Sequence, residues 1–221
     1  MSQIQYDYDV GIIGGGPAGS SMAAYLAKNG IHCAVFERAI FPRPHVGESF
    51  VPSSTRVLHE LGFLPKMEAY KFPHKFGAVW TVSSSYLTAS HGWEGLEPDS
   101  QADIRFEERE QAGIHQNYTY HVDRGLFDQL LLHHAAELGA TVFEGTAIND
   151  IHFHDDHVEL KVTDHSVNGN GESRDPCVKV KMVVDASGRR TFLGSKLKLK
   201  RISNSLRKNG PSSCLCLNQA L

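Results

Sequence analysis

The sequence predicts an α/β fold in which a mostly parallel sheet, flanked by helices, carries an inserted antiparallel β portion. An apolar run near residue 10 enters a glycine-rich turn and then a helical pattern, and a second apolar run follows. Residues 76–89 and 148–162, in contrast, contain pairs of strand patterns joined by short turns. Alternating strands and helices are typical of a parallel sheet, whereas directly connected strands pair antiparallel.

The first unit is a strand, a glycine turn and the start of a helix. Residues 10–13 read Val-Gly-Ile-Ile, an apolar run typical of a buried parallel strand. Three glycines follow at the spacing G-x-G-x-x-G: Gly14, Gly16 and Gly19. The first permits a tight turn, the second lets backbone approach a pyrophosphate, and the third lets helix and strand pack closely. Pro17 suits the first helical turn, whose free amides favour a diphosphate.

The second strand completes a dinucleotide-binding unit. The helix is expected to end at Gly30, and residues 32–36 form the next strand. This strand leads to Glu37, and an acid about 20 residues beyond the glycines is the expected acceptor for a ribose hydroxyl. Strand, glycines, helix, strand and acid in this order indicate a Rossmann-like domain.

Caps, turns and apolar periodicity predict the later elements. We expect one helix from Ser53 or Ser54 to about Leu61 and another between its cap Asp123 and Gly139. Strands are expected at residues 76–82, 86–89, 118–122, 141–144, 148–153, 157–162 and 178–184. The strand at 141–144 would join the parallel sheet, and those at 148–153 and 157–162 would form a hairpin. Residues 92–103 and 166–176 are expected to be loops.

Charge, hydropathy and cysteine content indicate which partners and which cellular compartment to expect. The 221 residues carry a net charge of −3, which gives no case for nucleic acid as the main partner. No apolar run is long enough to span a membrane, and the first twenty residues do not resemble a signal peptide. Four cysteines without a Cys-x-x-Cys pair suggest a reduced, cytoplasmic chain: Cys33, Cys177, Cys214 and Cys216.

Two features are interpreted conservatively. Residues 201–221 form a basic, irregular tail, for which a disordered or misfitting segment is favoured over a nucleic-acid or membrane arm. His152, His154 and His157 lie close together around the predicted hairpin. We interpret them as surface histidines, with no metal site.

Residues 41–49 read Phe-Pro-Arg-Pro-His-Val-Gly-Glu-Ser, and this tract indicates that the bound dinucleotide contains a flavin. Together with four other blocks this tract resembles the flavin-dependent halogenases that act on phenols and pyrroles, within the flavin-monooxygenase superfamily. The blocks are residues 14–19, 41–49 with Pro52, 72–77, 120–128 and 184–189. The first block is shared by many flavoproteins, whereas the second and third together are more specific to halogenases. The resemblance covers about residues 8–199.

The resemblance implies a set of FAD-binding residues. Those expected at the diphosphate are Gly14, Gly15, Gly16, Ala18 and Gly19. Glu37 and Arg38 would hold the adenosine end, and Glu48 and Ser49 would lie beside the flavin ring. Arg124 would contact the nucleotide, unless it only pairs with Asp128 along its helix. Asp185 would belong to a second flavin fingerprint, unless it only forms the turn before Gly188.

Lys75 is the expected catalytic residue. In the family that the chain resembles, reduced FAD, oxygen and chloride or bromide yield a hypohalous acid. A lysine near the substrate either forms a haloamine with that oxidant or hydrogen-bonds to it and orients it. Lysine suits this role because its ammonium is a flexible point donor whose pKa falls on burial. Lys75 lies between Phe72-Pro73 and Phe76-Gly77, which favours an inward position over a solvated one.

The resemblance also fixes the expected organisation. Family members are longer and carry later flavin and substrate motifs that are missing here. We therefore expect residues 1–200 to be a partial FAD-binding domain that is incomplete at its C-terminus and includes the first substrate-domain strands at about 72–122. Residues 201–221 would be the tail. The isolated chain is expected to bind flavin weakly and not to halogenate.

The leading functional hypothesis is an FAD-dependent halogenase of an electron-rich aromatic. The substrate would be free or tethered to a carrier protein, and a separate flavin reductase would supply reduced FAD. The alternatives are an aromatic hydroxylase, which would not need Lys75, an enzyme like the geranylgeranyl reductases, and a non-catalytic flavoprotein domain.

Overall fold

A six-stranded sheet forms around the predicted first unit. The computed structural model describes residues 5–81, 101–108, 116–164 and 177–199. Strand β1 (Tyr8–Ile13) leads into helix α1 (Pro17–Lys28), and β2 (Cys33–Glu37) lies parallel to β1. As predicted, the helix ends before Gly30, which has a positive φ of 73°. Its amide bonds to the Ala27 carbonyl and thus closes the last turn.

The rest of this sheet mixes parallel and antiparallel strands. Helix α4 (Arg124–Glu137) leads to β8 (Thr141–Glu144), which is parallel to β2. Strands β9 (Thr146–Phe153) and β10 (Val158–Asp164) form the predicted hairpin, and β11 (Cys177–Asp185) pairs antiparallel with β10 and parallel with β1. The strand order is β8-β2-β1-β11-β10-β9. These pairings confirm the predicted α/β fold.

The inserted antiparallel portion lies between β2 and α4. It contains β3 (Glu48–Ser49), α2 (Pro52–Glu60), α3 (Leu64–Ala69), β4 (His74–Lys75), β5 (Gly77–Thr81), β6 (Gln101–Arg105) and β7 (Thr119–Val122). Strand β7 pairs antiparallel with β3 on one side and with β4 on the other, and β5 pairs with β6. The four residues of β7 thus bring together two segments that are about 25 residues apart in sequence.

Aromatic packing connects this portion to helix α4. The Phe127 ring is almost fully buried and has three phenylalanine rings around it in edge-to-face contact. Its ring centroid lies 5.0 Å from that of Phe50, 5.8 Å from that of Phe63 and 6.4 Å from that of Phe72. Such pairs add stability beyond the area they bury. The segments after β3 and before β4 are therefore held against α4.

Two local predictions need correction, and one helix was not predicted. Helix α2 begins at Pro52 and has Val51 as its N-cap, so the predicted Ser53 or Ser54 cap is wrong. Proline fits the first helical position because it has no amide hydrogen to leave unpaired. The predicted loop at 92–103 is wrong at its end, because residues 101–103 already belong to β6. Helix α3 was not predicted, since six residues are too few to show a period.

Other predictions lie outside the described residues: the strand at 86–89, the loop at 166–176 and the tail at 201–221. Contacts divide the chain into one unit at Met1–Gly188 and another at Arg189–Leu221. In the second unit the described residues form a short helix, α5 (Phe192–Lys196). Within the described residues, no helix combines the length and the apolar character that a membrane span needs.

Candidate flavin and lysine site

The glycine turn after β1 is shaped by backbone contacts that exclude side chains. Gly14 has a φ of +99°, and a Cβ there would lie 2.7 Å from the Ala186 carbonyl oxygen. A Cβ on Gly19 would lie 1.8 Å from the Gly14 carbonyl oxygen. Both glycines are therefore required by the close approach of β1, α1 and the end of β11.

Gly16 faces open space. A Cβ built there would meet only the Nη2 atom of Arg43, at 3.7 Å. Gly16 is also the N-cap of α1 and has no side-chain cap, and Ala18 in the first turn is exposed. Free amides at a helix N-terminus favour an anion, so this open surface suits a diphosphate.

Glu37 supports the glycine turn from β2. Its buried carboxylate accepts a hydrogen bond of 2.7 Å from the Gly15 amide and one of 2.9 Å from the Ala39 amide. Each carboxylate oxygen can accept a further bond. The neighbouring Arg38 is exposed to solvent. The expected adenosine contacts of Glu37 and Arg38 stay predictions.

A chain of four charged groups connects the glycine turn with β3. Arg43 Nη2 lies 3.3 Å from Asp128 Oδ2, and Asp128 is fully buried. Arg124 forms a bidentate contact with the same carboxylate: its Nε donates to Oδ1 at 2.6 Å and its Nη2 to Oδ2 at 3.0 Å. Arg124 Nη1 also donates to Glu48 Oε1 at 2.5 Å. The hydrogen bond to Asp128 raises the pKa of the Arg124 guanidinium, although burial opposes this.

Of the two alternatives for Arg124, the structure shows the pairing with Asp128 along α4. Arg124 also reaches Glu48, a predicted flavin neighbour. Ser49, the other predicted neighbour of the ring, is exposed beside Glu48 on β3. Contacts of these three residues with the nucleotide stay predictions.

Asp185 ends β11 beside the glycine turn. In the parallel pair β1–β11 it is the register partner of Ile13, so it lies at the carboxyl end of the strands, where α/β sheets bind ligands. Its Oδ1 accepts from the Ser187 amide at 3.0 Å and from the Ser187 hydroxyl at 2.5 Å. The structure thus bears out the turn-forming role, and the flavin role stays a prediction.

Lys75 lies on the inner side of the short strand β4. Its Nζ donates to the Phe50 carbonyl at 3.2 Å and lies 5.6 Å from the centre of the Phe106 ring. The residue is half-buried, and this burial lowers the pKa of its ammonium. The ammonium thus reaches the residue that directly follows Ser49. The catalytic role of Lys75 stays a prediction.

A cavity of about 500 Å³ lies beside the neighbouring strands β5 and β6. Phe76, Val79, Arg105 and Asn117 are among its lining residues. Its walls combine apolar surface with hydrogen-bonding groups, as small-molecule pockets commonly do. Lys75 is not one of the lining residues, although Phe76, the next residue, is.

Two residues of this site were not identified as candidates from the sequence. Arg43 was visible inside the 41–49 tract, but its position beside Gly16 depends on the path of a proline-rich loop. Its Nε is buried and has no hydrogen-bond partner among the described residues. Asp128 was considered only as a partner of Arg124, because its complete burial could not be read from sequence.

A family model described as an FAD binding domain matches residues 7–209. The chain belongs to this family of FAD-binding domains. Its glycine turn suits the cofactor, because the open face of Gly16 and the free amides of the helix N-terminus leave room and hydrogen-bond donors for a diphosphate. Which residues contact the FAD diphosphate stays a prediction.

Curated relatives of this FAD-binding domain include halogenases. A 1H-pyrrole-2-carbonyl-(peptidyl-carrier protein) chlorinase of Pseudomonas fluorescens is 51% identical over 196 residues, which cover 88% of this chain and 42% of the chlorinase. The flavin-dependent halogenase armH3 of Armillaria mellea is 35% identical over 94% of this chain and 38% of its own length. The chain spans about two-fifths of the length of these relatives.

Solved structures agree with the fold of this FAD-binding domain. A flavoprotein/dehydrogenase of Cytophaga hutchinsonii has a TM-score of 0.71 and 31% identity, covering 89% of this chain and 43% of that protein. The flavin-dependent halogenase CmlS has the same TM-score and identity, covering 89% of this chain and 32% of its own. The predicted resemblance to flavin-dependent halogenases is thereby confirmed.

Proposed function

We propose that this chain forms the FAD-binding and lysine-bearing part of a flavin-dependent halogenase that chlorinates a pyrrole held on a peptidyl-carrier protein. The observation that carries the proposal is the half-buried Lys75, whose ammonium bonds to the carbonyl directly after the Glu48-Ser49 pair. The 51% identity to a chlorinase of a carrier-bound pyrrole supports the substrate class.

The residues of the chain have separate roles in this proposal. The glycine turn and Arg43 hold the diphosphate, and Glu37 with Arg38 holds the adenosine end. Arg124 keeps Glu48 beside the flavin ring, and Asp185 holds the turn that closes on Gly14. Bound in its reduced form, FAD would supply hypohalous acid from oxygen and halide.

Lys75 then positions that oxidant. The ammonium donates one hydrogen bond to Phe50, which leaves two N–H groups to hold the oxygen of a hypohalous acid. Burial lowers the pKa of Lys75 and so increases the fraction of neutral amine. The neutral amine can itself be halogenated. The Phe106 ring beneath the ammonium excludes water from one side.

The partners follow from this chemistry. A separate flavin reductase would deliver reduced FAD. A carrier protein would present the pyrrole. We infer a cytoplasmic location, which fits the free thiols of Cys33 and Cys177.

The test is a chimera in which residues 8–199 of this chain replace the matching segment of the Pseudomonas chlorinase. With reduced FAD, oxygen, chloride and the pyrrolyl carrier protein, mass spectrometry should detect the chlorinated product. Lys75→Ala should abolish chlorination and leave FAD bound, whereas Lys161→Ala, an exposed lysine of β10, should have no effect.

Two outcomes contradict the proposal. Chlorination that survives Lys75→Ala removes the role of this lysine. A hydroxylated product in place of the chlorinated one favours the aromatic hydroxylase.

A further inference from the structure

The turn between β9 and β10 brings two imidazoles and one carboxylate together. His154 follows β9, His157 precedes β10, and Glu159 is the second residue of β10. The His154 amide donates to the His157 carbonyl at 2.9 Å and closes the turn. One nitrogen from each histidine and one oxygen of Glu159 all lie within 4.8 Å of one another.

The separations between these atoms resemble those around a metal ion. His157 Nε2 lies 3.6 Å from Glu159 Oε1, and His154 Nε2 lies 3.5 Å from Glu159 Oε2. Tetrahedral zinc with bonds of about 2.0–2.1 Å places neighbouring ligand atoms about 3.3–3.4 Å apart. Small side-chain movements would therefore bring the three groups to bonding distance.

His157 is already oriented for this role. Its Nδ1 lies 2.6 Å from Asp156 Oδ1, which favours the proton on that nitrogen and leaves a lone pair on Nε2. The Nε2 atom is buried and has no hydrogen-bond partner among the described residues. An imidazole held by a carboxylate at its far nitrogen is the usual arrangement of a metal-binding histidine.

Two features must change when an ion binds. The His154 ring stacks on the His157 ring with centroids 4.3 Å apart and planes within 9°, so His154 must turn for both lone pairs to meet. Its side chain is 43% exposed and has room to do so. Lys179 Nζ, 3.8 Å from Glu159 Oε1, is similarly exposed and can move into solvent.

We propose that His154, His157 and Glu159 bind Zn²⁺, with water as the fourth ligand and Asp156 orienting His157. The ion would stabilise the turn between β9 and β10, and β9 is the strand at the edge of the sheet. This departs from the sequence-based interpretation of surface histidines. That interpretation did not include Glu159, which supplies the third protein ligand.

The test is a titration of the tag-free chain with zinc chloride, measured by calorimetry. A chromophoric chelator that competes with the chain for zinc gives a second measure of the affinity. One ion should bind per chain, and His157→Ala or Glu159→Gln should remove this site. Asp156→Asn should weaken it about 10–100-fold. His152→Ala is the matched control, because His152 pairs with Asp150 at 3.1 Å on β9 and is outside the site.

Cobalt provides a second measurement that depends on geometry. Co²⁺ bound to the unchanged chain should show the intense visible bands of a four-coordinate ion, and these should be lost in His154→Ala. Melting curves without metal establish that each variant is folded. Absence of saturable zinc binding, binding that His157→Ala leaves unchanged, or a six-coordinate cobalt spectrum would each overturn the proposal.

Discussion

Asp128 is fully buried between two guanidinium groups, and this single side chain connects three parts of the site. It contacts Arg43 from the 41–49 tract and Arg124 from its own helix, and Arg124 continues to Glu48 on β3. A buried carboxylate is tolerated only when it is paired in this way. Its position therefore determines where both arginines can point.

Replacing Asp128 with asparagine should lower the free energy of unfolding by about 3–5 kcal/mol, because two buried or half-buried cations would lose their common partner. Urea denaturation of the isolated chain measures this change. Glu137→Gln is the control, since the Glu137 side chain is 60% exposed and its ion pair with Lys66 should contribute less than about 1 kcal/mol. If both variants lose the same free energy of unfolding, burial does not make the Asp128 ion pairs more stabilising than an exposed pair.

At the level of elements, the glycines at the junction of β1 and α1 are of two kinds: some are required by close backbone contacts, and one faces open space. Gly19 is against the Gly14 carbonyl, whereas Gly16 faces open space beside Arg43. The sequence motif gives the three glycines their general roles, and the contacts show which of them the fold itself requires.

Gly19→Ala should therefore destabilise the chain so far that its thermal transition is lost or shifts strongly downward. Gly16→Ala should keep the melting temperature and weaken FAD binding, because its methyl group would occupy the space for the diphosphate. Melting curves and flavin fluorescence titrations separate the two effects. If Gly16→Ala binds FAD as well as the unchanged chain, the diphosphate site is assigned to the wrong surface.

A second cluster holds β4 and β7 in register. Glu68 on α3 accepts hydrogen bonds from Tyr118 at 2.8 Å and from the buried Tyr120 at 2.7 Å, and lies 3.2 Å from His74. Burial alone would raise the pKa of Glu68, but these hydrogen bonds together lower it. His74 directly precedes Lys75, so the cluster also fixes the strand that carries the lysine.

Because its pKa is lowered in the folded chain, Glu68 contributes stability above its ordinary pKa of 4.5 that is lost as the pH falls through the folded value. Glu68→Gln should therefore lower the urea midpoint at about pH 6, and this difference should shrink at about pH 3. The exposed Glu108→Gln is the matched control. A deficit that is the same at both pH values would argue against this ionisation.

At the scale of the whole molecule, the sequence predicted what depends on local pattern. The glycine unit, the Asp123 cap and the β9–β10 hairpin are confirmed, because each rests on turn residues and periodicity within a short window. The Arg43–Asp128, Arg124–Glu48 and Lys75–Phe50 contacts join residues 25 to 85 positions apart. Only the resemblance to a family suggested that the lysine and the 41–49 tract belong together.

The chain spans about two-fifths of the chlorinase that it matches, so we expect the isolated chain to bind FAD more weakly than the chimera and not to halogenate. Equilibrium dialysis with FAD and the chlorination assay compare the two proteins. Purification of the isolated chain with stoichiometric FAD, or chlorination by it alone, would contradict this expectation.

Strand β7 has a consequence for how such proteins can be recombined. Its four residues pair with Glu48-Ser49 on one edge and with His74-Lys75 on the other, and α4 begins directly after it. A crossover between two parent sequences at any point between Ser49 and Thr119 would therefore give β7 a neighbour from the other parent on at least one edge. Domain exchange should succeed when this interval is inherited as one block, and lysine position and flavin contacts should then change together.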